Sequence, residues 1–159
     1  LILLSVVLLA ACGFHPRTQL DLPAILGPVT VETADPYSPL GLELAKALDR
    51  AGATAPAPGA PTSKLRITGE TWSTRPLSVN QFAQVLEYVT TYRVDFVMAD
   101  ADGKLLTEPQ SIELSREYTY STNASIGSPA ELELIQRELR RDMQAAILRR
   151  LDVALRPKA

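Results

Sequence analysis

The chain holds one cysteine, one histidine and one tryptophan among 159 residues. A single thiol, Cys12, excludes an intrachain disulfide framework and any cysteine-based structural zinc site. The lone histidine, His15, makes a Cys-x-x-His with it, but two ligands are too few to hold a metal. A Ser-His-Asp triad would need this N-terminal histidine to reach the folded domain. Glycine-rich phosphate loops are missing, and Asp100-x-Asp102-Gly103 fails as a calcium loop because Met98 and Pro109 would occupy ligand positions. No metal and no cofactor is expected. Charge of one sign is missing too: 16 basic residues face 18 acidic ones, for a net charge of -2. No global field points to nucleic acid, and none is expected as a partner. What is present is ordinary for a folded domain: 46% apolar and 21% charged residues, at a length that suits one domain.

The most specific signal is N-terminal. Leu1 to Ala11 form a nearly unbroken apolar run that closes as Leu9-Ala10-Ala11-Cys12-Gly13. Spanning a bilayer takes roughly 20 helical residues, so this run is too short to span but suits the apolar core of a secretory signal. No basic segment precedes it, which implies that the signal's first residues are missing here. The closing residues resemble the bacterial lipobox: a branched apolar residue, two small ones that enter a peptidase cleft, and a thiol that accepts diacylglycerol. Cys12 is therefore the expected lipidation site, and several acyl chains there would anchor stably. Gly13, rather than an aspartate, favours the outer membrane.

Past a turn-rich tether over residues 12–27, the alternating Val29-Thr30-Val31-Glu32-Thr33 predicts a strand. Ser38 as N-cap and Pro39 at the first helical position open a helix with Leu40, Leu44, Ala45 and Leu48 on one face, closing near Gly52. Pro56, Pro58, Gly59 and Pro61 mark a surface connection. From Lys64 a strand is expected with Leu65, Ile67 and Thr71 on one side and Arg66, Thr68, Glu70 and Trp72 on the other. Ser73 to Gln84 reads as a polar loop or weak strand end, since Pro76 argues against a central strand. Tyr88, Tyr92, Val94, Phe96 and Met98, with Leu86 and Thr90, form the dry face of a long strand. Glu87, Val89, Thr91, Arg93 and Asp95 form its other face. Asp102-Gly103 signals a hairpin turn, and Ile112, Leu114, Tyr118 and Tyr120 return. Ser128-Pro129-Ala130-Glu131 reads as a capping box for a last helix with the stripe Leu132, Ile135, Leu139, Met143, Ile147, Leu151. The order β-α-β-β-β-α predicts an α+β two-layer sandwich: a four-stranded mixed sheet with two helices on one face.

The residues carry a resemblance beyond this pattern. Cys12-Gly13-Phe14-His15-Pro16-Arg17, Asp35-Pro36-Tyr37-Ser38-Pro39-Leu40, Leu65-Arg66-Ile67, Glu87-Tyr88 and Leu148-Arg149-Arg150-Leu151 stand in the order and spacing of the LptE family of lipopolysaccharide-assembly lipoproteins. The resemblance covers essentially the whole chain. It implies residues 1–11 as a signal segment, 12–27 as the lipidated tether, 28–156 as a single domain and 157–159 as a tail. It also implies an outer-membrane protein facing the periplasm, plugging the lumen of an LptD-type β-barrel, helping it assemble and binding lipopolysaccharide. Two basic family positions fall near Gln81 and Ser128, neither of which is cationic here. Lipid A phosphates would then meet other cations, for which Arg75, Arg93 and Arg116 are the candidates. Leu134 stands at a position similar to one that the family uses against the barrel. The alternating-sign run Arg137-Glu138-Leu139-Arg140-Arg141-Asp142 is a solvated helix face in the plain reading, and a phosphate or lumen surface in the family's context.

Two other functions fit the residues less closely. One is a free-standing lipoprotein that binds another envelope lipid or serves a lipid transporter as an auxiliary subunit. The other is a hydrolase, which lacks a catalytic constellation.

Overall fold

The computed structural model describes residues 27–53, 57–81, 85–119 and 127–156. The elements run β1 (Val29–Thr33), α1 (Pro39–Arg50), β2 (Ser63–Val79), β3 (Val85–Ala99), β4 (Gln110–Thr119) and α2 (Gly127–Leu155). The sheet order is β1-β2-β3-β4, with β1 parallel to β2 and the other pairs antiparallel. This is the expected α+β sandwich.

Local chemistry sets the ends of α1. Ser38 Oγ accepts from the Gly41 N–H at 3.3 Å, and Pro39 occupies the first turn, where its missing N–H costs nothing. At the other end Gly52 takes φ +88°. The Ala53 N–H donates to Leu48 O and the Gly52 N–H to Asp49 O, a Schellman closure. Ala53 and Leu48 are both buried, completing the apolar contact that accompanies such a cap.

One core joins both helices to the sheet. Leu40, Leu44 and Leu48 from α1 meet Leu139, Met143, Ile147 and Leu151 from α2 over Leu65, Tyr92, Val94, Phe96 and Met98. The dry face of β3 is the one its alternation predicts, Thr90 included. The side chain of Leu86, and Tyr120, lie outside the described residues.

Three expectations are corrected. Trp72 and Glu70 stand on the helix-covered face, because Thr68 is an extra residue between Ile67↔Phe96 and Gly69↔Asp95. That bulge reverses the inward–outward parity from Gly69 to Pro76, where the register shifts again. The stretch from Ser73 is strand rather than loop as far as Val79. Pro76 is tolerated because β1 pairs only with Ser63–Ile67, leaving β2 a sheet edge beyond that point among the described residues. Finally, α2 begins at Gly127, so Ser128 lies inside its first turn instead of capping it.

Candidate functional site

The sheet has two unequal faces. On the helix side, Ser38 at the start of α1 donates to Glu70 Oε2 at 3.0 Å, while Tyr92 donates its hydroxyl to Glu70 Oε1 at 2.7 Å. Burial, and then the neighbouring Glu70 carboxylate, push the Tyr92 pKa far above its usual value. Trp72 stacks on the Tyr92 ring at 3.8 Å and 10°, and the Arg140 guanidinium lies 5.9 Å over the indole. This network locks the two helices to the sheet. Beside it, a cleft of about 340 Å³ opens between Asp35, Pro39, Ile67, Gly69 and Trp72.

Among the described residues the opposite face carries no helix. Its cross-strand rows are Thr71–Arg93–Glu113, Ser73–Thr91–Ser115 and Arg75–Val89–Glu117. Nearer β1, Glu32 takes Lys64 and Arg66 at 2.9 Å each. The Lys64 hydrogen bond and then Arg66 hold its carboxyl below the usual range against the opposing effect of burial. Asp95 is likewise held low, first by the Ser111 hydroxyl and then by Arg93. Val89, Val97 and Ala99 are the buried apolar exceptions. The result is a broad surface of hydroxyls and alternating charge, able to form many hydrogen bonds. It reaches far: the twelve residues of β2 beyond β1 extend about 40 Å at 3.4 Å each. At the tip Leu77, Val79 and Gln81 are exposed.

The candidate contact residues do not converge. Arg75 and Arg93 share the open face. Arg93 is paired with Asp95 at 3.1 Å, whereas exposed Arg75 has no ion-pair partner among the described residues. Arg116 lies on the other face and reaches Asp142 of α2 at 3.0 Å. Leu134 is 49% exposed and borders a groove with Glu43, Arg137, Glu138 and Arg141. Gln81 is at the hairpin tip; the Ser128 side chain, Cys12 and His15 lie outside the described residues. Sequence reasoning missed the Ser38–Glu70–Tyr92 network, and the one local signal for it is Gly69, an isolated glycine inside a strand pattern.

Among the described residues no group of acidic, histidine or cysteine side chains could hold a metal, and no helix is long and apolar enough to cross a membrane.

A family model for LptE, lipopolysaccharide-assembly, matches residues 26–151. The chain belongs to the LptE family. LPS-assembly lipoprotein LptE of Photorhabdus laumondii is 28% identical over 151 residues, covering 93% of this chain and 81% of that protein. Its counterpart in Pectobacterium atrosepticum is 26% identical over 154 residues, covering 93% and 80%. The fold is similar to the solution structure of lipoprotein B from Nitrosomonas europaea, with TM-score 0.71, 23% identity and coverage of 88% and 90%. LptE proteins serve lipopolysaccharide assembly and are not enzymes.

Proposed function

We propose that this LptE protein is anchored through an acylated Cys12 to the outer membrane and plugs the lumen of an LptD-type barrel, where it helps assembly and engages lipopolysaccharide. The observation that carries this reading is the sheet face that no described helix covers. Its Thr71–Arg93–Glu113 and Ser73–Thr91–Ser115 rows offer the hydroxyls and both charge signs that a polar barrel interior can pair with. An apolar face would instead demand burial against protein or lipid. Of the three candidate arginines, Arg75 is the best placed for an external anion, since Arg93 and Arg116 already hold carboxylates.

Two measurements test it. The full acylated chain, tagged and purified from cells, is expected to retain an LptD-type barrel. Photocrosslinking from Ser73 or Gln81 is expected to capture the same barrel, identified by mass. A tagged chain that never retains a barrel refutes the plug reading. If surface lipopolysaccharide is also unaltered on depletion, a free-standing lipoprotein for another envelope lipid becomes the better account.

A further inference from the structure

The two ends of the sheet differ in what they expose and in where the chain enters. One end gathers the start of β1, the start of β2, the end of β3 and the start of β4, through Val29↔Ser63, Lys64↔Ala99 and Phe96↔Gln110. The C-terminal part of α2 lies at this end too, since Arg150 reaches Gln110 Oε1 at 3.5 Å. The tight turn Asp100–Lys104 closes here with Gly103 at φ +85°. The chain does not then enter β4 at once. Leu105 bridges back to Ala99, the Leu106 N–H donates to Met98 O at 2.8 Å, and Thr107 Oγ1 accepts from the Met98 N–H at 3.0 Å. These bonds fasten the loop backbone to the sheet while Leu105 and Leu106 stay 52% and 38% exposed. At the same end Val153, in the last turn of α2, is 69% exposed.

The charged groups here favour anions. Lys104, Arg149 and Arg150 are exposed and have no ion-pair partner among the described residues. Of the nearby acids, Asp100 accepts the Asp102 and Lys104 N–H groups, and Asp152 is held by Arg156 at 2.6 Å. Asp102 and Glu108 remain, and at the end of α1 exposed Asp49 is offset by exposed Arg50. The tether from Cys12 enters β1 at this end, where the Ser63 N–H binds Pro28 O at 2.9 Å. The fifteen residues after Cys12, up to Gly27, span at most about 50 Å.

We propose that this end of the domain rests on the phospholipid leaflet that holds the Cys12 acyl chains, with Leu105, Leu106 and Val153 in the headgroup region and Lys104, Arg149 and Arg150 against lipid phosphates. The proposal rests on the acylation of Cys12 in the reading above, and adds to it a second lipid contact and a fixed orientation for the acylated chain before it enters the barrel. The β2–β3 tip then points away from the leaflet.

The test uses the full mature chain, purified with its N-terminal cysteine acylated and placed in phosphatidylethanolamine–phosphatidylglycerol vesicles whose acyl chains carry bromine. A fluorophore is attached at Leu106→Cys or, as control, at Val79→Cys at the far tip; both sites are exposed. Bromine is expected to quench the probe at 106 about threefold or more above the probe at 79, because residues lying in the interface sit within about 10 Å of the acyl boundary. Equal quenching in a chain shown by mass to be acylated overturns this proposal alone. A chain that carries no acyl groups overturns both the anchor and the docking. A probe at 106 that ignores bromine yet shifts on adding the purified barrel assigns this end to protein contact, and also overturns the proposal.

Discussion

Removing the hydroxyl of Tyr92 isolates the contribution of the Ser38–Glu70–Tyr92 network, because phenylalanine keeps the buried ring and its stack on Trp72. The lost bond is short, 2.7 Å, and ends on a carboxylate. Hydrogen bonds to charged groups contribute about 1.5–3 kcal/mol. Glu70 is exposed and can take water in exchange, which places Tyr92→Phe near 1–1.5 kcal/mol. Ser38→Ala deletes both the cap on Gly41 and the 3.0 Å bond to Glu70, for about 1.5 kcal/mol. Both side chains hold one carboxylate, so losing either loosens the other's bond. The double variant should therefore cost less than the sum, by about 0.5–1 kcal/mol. Urea unfolding followed by fluorescence of Trp72, the chain's sole tryptophan, and by circular dichroism measures all three. Single losses below about 0.5 kcal/mol, or strict additivity within about 0.3 kcal/mol, would show that the network does not couple α1 to the sheet.

Gly41→Ala should destabilise the domain by about 1 kcal/mol despite alanine's higher helix propensity, because the new Cβ would lie 2.8 Å from Thr33 Cγ2. Thr33→Ser removes that methyl and should restore most of the lost melting temperature, an outcome that propensity alone does not produce. The raised Tyr92 pKa means that the folded state holds this proton more tightly than the unfolded chain. Its contribution is whole below the unfolded value near pH 10 and is lost as pH rises above it. Phenolate absorbance of Tyr92 and loss of circular dichroism should thus coincide in alkali; full ionisation of every tyrosine in a still-folded chain would contradict this. Arg75→Glu should weaken retention of the barrel while leaving the melting temperature within about 1 °C. Arg116→Ala, which breaks a half-exposed pair with Asp142, should lower it by no more than about 2 °C.

How far this structure can be read from residues alone depends on the range of each signal. The caps of α1 are encoded within four residues, and the dry face of β3 by an unbroken alternation. The element order follows from both, and with it the sandwich. The face of Trp72 is different. Period-two parity survives only while every residue pairs, and the single unpaired Thr68 turns Glu70, Trp72 and Thr74 inward while sending Thr71, Ser73 and Arg75 outward. Only Gly69 hints at this. A Cβ there would come 3.0 Å from Asp95 Oδ2, so the bulge and its glycine are one feature. Pro76 misleads for a related reason: it excludes a central strand, yet β2 is central only for the five residues that β1 covers. The candidate arginines inherit this ambiguity, since whether a basic residue meets solvent or an acid is decided by the strand opposite it. Arg93 and Arg116 find Asp95 and Asp142, one two residues away and one on a different element. Arg75 sits where parity, edge position and the absence of an acid partner among the described residues coincide. The same one-residue insertion that hides the network inside the fold therefore also places this cation on the open face.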